Sequence, residues 1–350
     1  MTSTPQFSLS HGTHLGPHGP ARTAPIGLGC MGMSALYGPA DEAQSVRTIH
    51  AALSAGVNLL DTGDFYGMGH NESLIGRALQ GRRDEALLSV KFGALRDPAG
   101  AFIGVDGRPA SIKNFLAYSL KRLGTDHIDI YRIARLDANV PIEDTIGAMA
   151  ELVQAGYVRH IGLSEVGVDT IRRAHAVHPI ADVQIEYSLI SRGPEAEIFP
   201  LLKTLGIGVT AYGVLSRGLL AGSQPTGPGD FRAHLPRFTG DNGAKNQQLV
   251  AVLQQLAADM GVTAPQVAIA WVLAQGRQQG LHLVPLVGAR KLAQLDESLA
   301  AMAVTLDAAA LQRIEAALPA DAVAGTRYDA HQMGHLDSEK GNKSGAPRAL

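Results

Sequence analysis

Three ionisable residues lie at or just after the ends of two consecutive apolar runs. Asp61 follows the run NLL, Tyr66 lies in the segment directly after it, and Lys91 ends the run LLSV. A lysine ammonium beside a tyrosine favours the phenolate and is expected to lower the pKa of the phenol from about 10. A carboxylate would keep that ammonium charged and in place. The three residues therefore predict a proton-transfer unit that can protonate a developing alkoxide.

A structural ion pair between Asp61 and Lys91, with Tyr66 as an ordinary loop aromatic, is the alternative. Charged groups at the ends of two adjacent buried strands are costly to bury unless they serve a purpose. We therefore favour the functional interpretation.

Apolar runs alternate with longer amphipathic segments along the chain, and each run is apolar enough to be covered on both faces. The predicted strands are Ile26–Met31, Val57–Leu60, Leu87–Val90, His127–Ile133, Val158–Leu163, Asp182–Ile185, Gly208–Tyr212 and Leu281–Pro285. The predicted helices are 41–55, 71–80, 111–123, 141–155, 168–177, 195–205, 245–260 and 290–301. This alternation predicts an α/β fold, a single-domain (β/α)8 TIM barrel with its active site at the carboxyl ends of the strands. An open doubly wound sheet with added helices is the alternative.

The predicted barrel spans residues 25–318, between two segments that lack its alternation of apolar runs and amphipathic segments. Residues 1–24 form a polar N-terminal segment. Residues 319–350 have no apolar period, and this tail is expected to be partly disordered. Residues 217–244 are rich in glycine and proline, and loops of this length in a compact domain are usually functional or disordered.

The amino-acid composition disfavours several classes of partner and cellular location. The formal net charge of −2 offers no basic excess for a nucleic-acid or membrane partner. A single cysteine, Cys30, excludes an internal disulfide and fits a reducing compartment. The N-terminus lacks the apolar core of a signal peptide, and no apolar run reaches the length of a membrane span. We expect a cytoplasmic protein, and no metal site is assigned; oligomeric state is not indicated.

Seven ordered segments at the predicted strand ends resemble the aldo-keto reductases, in particular the branch that contains perakine reductase. They are GLGCMGMS, NLLDTGDFYG, LLSVKFG, YVRHIGLSE, VQIEYSLISR, GVTAYGVLSRG and VPLVGARKLAQLDESL. The resemblance runs from about Pro25 to Leu318. It implies that Tyr66 is the general acid, that Lys91 tunes it and that Asp61 anchors Lys91. It also implies a nicotinamide cofactor lying across the barrel mouth.

One position departs from the family pattern. The family has a histidine at the end of the fourth strand, which orients the carbonyl oxygen and donates a hydrogen bond to it. Here the segment reads DIYRIARLD, and Ala134 occupies that position. Strand alternation is taken to place the neighbouring cations Arg132 and Arg135 on the opposite face from Ala134, which makes them poor substitutes.

The resemblance also implies a set of cofactor contacts. The predicted contacts are Ser164 and Gln184 to the nicotinamide carboxamide, Tyr212 stacking on its ring, and Ser216, Arg217 and Gly218 near the pyrophosphate. No GxGxxG motif is followed by a helix after the first strand, which disfavours a Rossmann site.

The start of the helix after the eighth strand is the predicted adenosine end of the cofactor site. Gly288 and Arg290 lie there, and a helix N-terminus with a cation is a natural phosphate site. Arg290 and Gln294 would hold the 2′-phosphate and ribose, which favours NADPH over NADH. Glu297 matches the family's adenine contact, and Ser298 replaces the usual asparagine.

Two functions from different classes remain open. The first is an NADPH-dependent oxidoreductase that reduces a small-molecule aldehyde or ketone to an alcohol. The second is an NADP(H)-occupied regulatory or binding subunit with little turnover, which the missing histidine favours. The intact Asp61, Tyr66 and Lys91 favour the first. A phosphate-sugar isomerase on the same barrel is a weaker third option, because no glutamate–histidine pair is evident.

Overall fold

The computed structural model describes residues 15–20, 22–34, 36–227 and 229–340. Its strands are β1 (Gly27–Gly29), β2 (Leu59–Gly63), β3 (Leu87–Phe92), β4 (Ala94–Arg96), β5 (Phe102–Val105), β6 (Ile128–Ile133), β7 (Val158–Ser164), β8 (Ile180–Glu186), β9 (Gly208–Tyr212) and β10 (Leu283–Gly288). Its helices are α1 (Glu42–Ser54), α2 (His70–Ala78), α3 (Pro109–Leu123), α4 (Ile142–Gln154), α5 (Val168–Val177), α6 (Ile198–Leu205), α7 (Gly240–Asp259), α8 (Ala264–Gln279), α9 (Leu292–Ala300), α10 (Ala308–Ala317) and α11 (Ala330–Gly334).

Eight parallel strands close into a barrel in the order β1-β10-β9-β8-β7-β6-β3-β2. The closure pairs Gly27 of β1 with Leu286 of β10 and Leu28 of β1 with Leu60 of β2. The predicted (β/α)8 TIM barrel is confirmed. Its eight strands correspond to the eight predicted runs, with ends that differ by a few residues. The two remaining strands, β4 and β5, form an antiparallel hairpin beyond the end of β3.

The helices α8, α10 and α11 and the β4–β5 hairpin have no counterpart in the prediction. The helix α8 contains Trp271, which is fully buried, and apolar side chains cover nearly all of its circumference. A helix buried on all sides shows no amphipathic period, so its pattern gives no helical signal. The β4–β5 hairpin is short and has no alternating apolar face, and its residues are only partly buried.

The described part of the N-terminal segment closes the amino end of the barrel. Leu15 is fully buried and packs with Leu59, Ile130 and Val284. Gly208 allows this approach, because an added Cβ atom there would lie 2.9 Å from backbone atoms of Leu15. Residues 1–14 and position 21 lie outside the described residues.

The tail after α10 returns over the carboxyl ends of the strands. Arg327 donates hydrogen bonds of 2.8 and 2.6 Å to the two carboxylate oxygens of Glu165. Asp337 accepts hydrogen bonds from the amide of Gly167 and the hydroxyl of Thr170. Residues 319–340 thus follow a defined path held by polar contacts, which an apolar period cannot reveal. Within the predicted partly disordered tail, residues 341–350 lie outside the described residues.

The glycine- and proline-rich stretch 217–244 is also more structured than a loop. Short 3-10 turns occupy Phe231–His234 and Pro236–Phe238, and α7 begins at Gly240. Arg232 fixes the fold of this stretch, because its guanidinium binds Asp230, the Ser223 hydroxyl and two backbone carbonyls. No single helix among the described residues could cross a membrane by length and composition, although α7 and α8 pass that test together across an 86° bend.

Candidate active site

A cavity of about 430 Å³ opens at the carboxyl ends of the barrel strands. It collects almost all of the residues that the sequence singled out. Its wall includes Asp61, Tyr66, Lys91, Ala134, Ser164, Gln184, Tyr212, Arg217, Gly218, Gly288, Arg290, Gln294, Glu297 and Ser298. Ser216 is fully buried behind this wall.

Asp61 is the centre of a buried hydrogen-bond network at the end of β2. Its Oδ2 accepts a hydrogen bond from Lys91 Nζ at 2.5 Å. Its Oδ1 accepts hydrogen bonds from Ser89 Oγ and Gln184 Nε2, both at 2.7 Å. Asp61 and Lys91 are 4% and 3% exposed. Burial lowers the pKa of Lys91, against the opposite charge of Asp61. The carboxylate therefore supports the charged ammonium and fixes its position.

A second ion pair lies beneath this network in the barrel interior. The Arg132 guanidinium donates to both oxygens of Asp182, at 2.7 and 2.8 Å, and its NH1 lies 3.4 Å from Asp61 Oδ1. Gly162 makes room for the pair, since an added Cβ atom would lie 2.6 Å from Asp182 Oδ1. The assignment of Arg132 to the face opposite Ala134 is wrong. Residues two apart in a strand share a face, so both point into the barrel.

Arg135 also departs from the prediction. It lines the cavity beside Ala134, although alternation would have placed it on the outer face. The reason is that the ladder of β6 ends at the amide of Ala134, which donates to the Phe92 carbonyl, so the regular alternation no longer governs Arg135. The Arg135 NH1 donates to the Ala134 carbonyl at 2.6 Å.

Tyr66 lies in the loop after β2 and is 8% exposed. The Lys91 Nζ is 5.0 Å from the centroid of its ring. The prediction that the pKa of this phenol lies below its ordinary value is wrong. Burial, followed by the negative charge of Asp61, raises the pKa of Tyr66 well above its ordinary value. Tyr66 is consequently a neutral phenol near neutral pH, which is the form that can donate a proton.

Asp64, in the loop that carries Tyr66, supplies a prediction on stability. Burial and the neighbouring Glu72 raise its pKa from 3.8 to about 7. The folded protein therefore holds a proton that the unfolded chain releases between about pH 4 and pH 7, so this contribution to stability is lost as the pH rises through that window. We expect Asp64→Asn to flatten the decline of the free energy of unfolding over this range, measured by urea unfolding. Asp84→Asn, at an exposed carboxylate, is the control, and a wild-type decline that persists in Asp64→Asn would contradict the assignment.

Two buried hydroxyls in or behind the cavity wall lack hydrogen-bond partners within the described ranges. They are Ser164 Oγ at the end of β7 and Ser216 Oγ after β9. A buried hydroxyl left without a partner costs free energy, so each suits a polar ligand group. The role of Ser164 toward a carboxamide stays a prediction. Gln184 is directed instead at Asp61, and this hydrogen bond would have to be shared or exchanged with a ligand.

The segment after β9 adopts a backbone that favours close approach. Ser216, Arg217 and Gly218 have φ angles of 46°, 57° and 90°, all in the left-handed region. The Arg217 guanidinium, predicted to lie near a pyrophosphate, binds Glu186 Oε2 at 2.9 Å and stacks over the ring of Tyr328, 4.4 Å from its centroid. Its charge is therefore already paired within the protein.

The start of α9 forms the other end of the cavity. The Arg290 NH1 lies 3.2–3.4 Å from the carbonyl oxygens of Tyr37, Gly38 and Pro39, and its amide donates to Gln294 Oε1. The Ser298 hydroxyl donates to the Gln294 carbonyl. Arg290 has no carboxylate partner within the described residues, so its charge is free to bind an anion.

Residues that the sequence prediction did not assign complete the wall opposite α9. Arg96 and Phe102 come from the β4–β5 hairpin, and Tyr328, Gln332 and His335 come from the tail. No motif at a strand end marks these residues, because both segments lie outside the barrel alternation. The only available signal was the aromatic and basic content of short segments expected to be loops.

Glu165 has a structural role at the end of β7. Its φ is 55°, its carboxylate is fully buried, and Arg327 binds both of its oxygens. Burial opposes ionisation, but the charge and hydrogen bonds of Arg327 outweigh it and hold the pKa of Glu165 below its ordinary value. Glu165 therefore anchors the tail to the end of β7.

A barrel with a buried aspartate, lysine and tyrosine around one mouth cavity defines a recognisable class. The model of the Aldo/keto reductase family matches residues 25–319, and the chain belongs to that family. Probable aldo-keto reductase 1 of Glycine max is 41% identical over 310 residues, covering 87% of this chain and 88% of its own length. The aldo-keto reductase yakc of Schizosaccharomyces pombe, whose name specifies NADP(+), is 38% identical over 312 residues and covers 87% and 91%.

Two solved structures share the architecture. The glycerol dehydrogenase AKR11B4 of Gluconobacter oxydans has a TM-score of 0.78 at 29% identity, covering 89% of this chain and 97% of its own. The holo form of aldo-keto reductase AKR11C1 of Bacillus halodurans has a TM-score of 0.72 at 30% identity, with the same coverage.

Proposed function

We propose that this protein is an NADPH-dependent reductase of aldehydes or ketones, in which Tyr66 donates the proton. The observation that carries the proposal is the placement of Tyr66, Lys91 and Asp61 in the wall of one cavity at the barrel mouth. The name of the yeast relative specifies NADP(+), and we extend that preference to this chain.

Proton transfer depends on the neutral phenol of Tyr66 and on the charged pair of Lys91 and Asp61. The phenol of Tyr66 is neutral and can hydrogen-bond to the oxygen of a bound carbonyl group. After the phenol loses its proton, the nearby Lys91 ammonium stabilises the phenolate, and Asp61 holds that ammonium in place. When bound, the nicotinamide supplies the hydride to the carbonyl carbon.

The cofactor would extend from β7 to α9 along one side of the mouth. The unpartnered Ser164 hydroxyl would bind the carboxamide, Tyr212 would lie against the ring, and Gly218 would allow close approach of the pyrophosphate. Arg290 and Gln294 would bind the 2′-phosphate and ribose, next to Gly288, Glu297 and Ser298. The unpaired charge of Arg290 supports this assignment.

Removing the Arg290 charge tests the cofactor preference. We expect Arg290→Ala to weaken NADPH binding by about 1–3 kcal/mol, the scale of a charge-assisted hydrogen bond, and to leave NADH binding nearly unchanged. Arg290→Lys, which keeps the charge, should retain most of the NADPH affinity. Titration of both cofactors by calorimetry measures the effect. Equal losses for the two cofactors would contradict the assignment, because only NADPH carries the 2′-phosphate.

A regulatory or binding subunit that carries NADP(H) is the second candidate function, and Ala134 in place of histidine favours it. Oxidation of NADPH, followed by absorbance with a panel of aldehydes and ketones, separates the two. Tight NADPH binding without turnover on any carbonyl compound would favour the binding subunit. Steady turnover that depends on Tyr66 would favour the reductase.

A further inference from the structure

The cavity has two ends with different chemistry. The predicted cofactor contacts come from β7 to β10 and from α9. The opposite end is built by the β4–β5 hairpin, the end of β6 and the tail, and it contains Arg96 and Arg135. In the barrel, β3 and β6 are neighbours and lie across from β9 and β10. These two arginines therefore line the part of the mouth that remains for a substrate.

Three other arginines at the barrel mouth form ion pairs with buried carboxylates, whereas Arg96 and Arg135 form none with the described residues. Arg217 binds Glu186 at 2.9 Å, Arg232 binds Asp230 at 2.7 Å and Arg327 binds Glu165 at 2.6 Å. Neither Arg96 nor Arg135 forms an ion pair with a carboxylate in the part of the chain that the structure describes. The substrate end therefore carries two guanidinium groups that lack a direct carboxylate partner in that part of the chain, although the negative charge of Glu165 also acts on Arg135.

Both guanidinium groups keep donors available for a ligand. The Arg96 NH1 donates to the Gly100 carbonyl at 3.2 Å, and its guanidinium lies 5.8 and 6.0 Å from the ring centroids of Phe65 and Phe102. The Arg135 NH1 donates to the Ala134 carbonyl, and its NH2 makes only a long contact of 3.5 Å to the Tyr328 hydroxyl. The remaining N–H groups of each guanidinium group can donate to an anion with two oxygens.

The charges of Arg96 and Arg135 interact with Tyr66, the proposed proton donor. The positive charge of Arg135 lowers the pKa of Tyr66, against the larger effect of burial. Burial lowers the pKa of Arg96, and Tyr66 raises it. Both arginines thus lie within electrostatic reach of the Tyr66 hydroxyl, one from the hairpin side and one from the end of β6.

We propose that Arg96 and Arg135 form an anion subsite for the substrate, so that the preferred substrates are aldehydes or ketones that carry a carboxylate or phosphate group. The arginines hold the anionic group while the carbonyl oxygen faces Tyr66. The rings of Phe65 and Phe102 beside Arg96 suit a flat, unsaturated connection between the two groups. This inference rests on the proposed reductase function.

Matched acid and ester substrates test the subsite. We expect the wild type to have a kcat/KM at least about tenfold higher for 4-carboxybenzaldehyde than for its neutral methyl ester. Arg135→Met and Arg96→Met should each lower this acid-to-ester ratio by about 10–100-fold, mainly through KM, because each loses one charge-assisted contact. Arg135→Lys should recover part of the ratio. Arg47→Met, on the exposed face of α1, should leave it unchanged.

A binding measurement separates this inference from the proposed function. Benzoate titrated by calorimetry into the NADP(+)-loaded protein should bind to the wild type and bind at least about tenfold more weakly to Arg135→Met. Benzoate binding that depends on Arg135 would support the subsite even without turnover, in which case the reductase function fails alone. In the same titration, inorganic phosphate that displaces benzoate and binds more tightly would identify phosphate esters as the anionic class.

Two results would overturn the subsite. One is an acid-to-ester ratio near one in the wild type together with no binding of benzoate or phosphate. The other is an equal loss of kcat on the acid and the ester in Arg135→Met, which would mean that Arg135 acts on the carbonyl oxygen or on Tyr66 and does not bind a remote anionic group.

Discussion

Replacing Tyr66 with phenylalanine is expected to lower kcat for carbonyl reduction by about 10²–10⁴-fold, the usual contribution of a positioned general acid. The substitution removes one hydroxyl from a ring that is 8% exposed and otherwise keeps the packing of the loop after β2. The affinity for NADPH should stay within about twofold, because no cofactor contact is assigned to that hydroxyl. Single-turnover reduction by the NADPH-loaded protein, with cofactor affinity measured separately, checks both parts.

Tyr118→Phe is the matched control for this experiment. Tyr118 is 58% exposed on α3 and does not line the cavity, so the same loss of a hydroxyl there should leave kcat unchanged. Wild-type turnover in Tyr66→Phe would show that the proton comes from another group, and the assignment of Tyr66 would then be abandoned.

Introducing histidine at Ala134 is expected to change substrate selectivity in opposite directions for small and large substrates. Ala134 is 2% exposed and lines the cavity at the end of β6. A donor to the developing oxyanion is typically worth about 10²–10³-fold in rate. Ala134→His should therefore accelerate the reduction of small aldehydes by up to this factor. It should slow the reduction of bulky ketones, because the imidazole fills volume that such substrates would use.

Ala134→Leu separates the donor from the volume in this test. Leucine fills similar space without a hydrogen-bond donor, so it should slow bulky ketones without accelerating small aldehydes. Steady-state kinetics on both substrate groups give the comparison. If Ala134→His is slower on every substrate, or if the wild type already reduces small aldehydes rapidly, the alanine does not set specificity.

The sequence was sufficient for the parts of the fold that follow a regular period. The eight barrel strands are buried on both faces and bounded by turns, so their positions could be predicted to within a few residues. Residues at their carboxyl ends, such as Asp61 and Lys91, were therefore expected to lie together at one end of the barrel. The helix α8 was missed because Trp271 and its neighbours are buried on all sides, which leaves no polar face to reveal the helix.

The pKa values and ion pairs of the site residues were harder to predict than which residues form the site. The charge of Lys91 was expected to dominate the pKa of Tyr66, but the depth of burial and the charge of Asp61 act more strongly. Neither quantity can be obtained from residue spacing. The pairing of Arg217 with Glu186 and of Glu165 with Arg327 likewise depends on contacts between distant segments. One prediction failed for a simpler reason, since Arg132 and Ala134 are two residues apart at the end of β6 and should have been assigned to the same face.

The contact between Arg135 and Tyr328 joins residues that are 193 positions apart in the chain. The segment that carries Tyr328 is held to the barrel by Arg327 and Asp337, whereas Tyr66 and Lys91 belong to the first three barrel strands and their loops. The tail thus contributes Tyr328, Gln332 and His335 to the substrate end of the cavity from a stretch of chain remote from the proton donor. Replacing this tail would change the wall around Arg135 and leave Tyr66, Lys91, Arg96 and Arg135 in place. Chimeras between relatives, joined just after α10, would accordingly separate the contribution of the tail to selectivity from that of the two arginines.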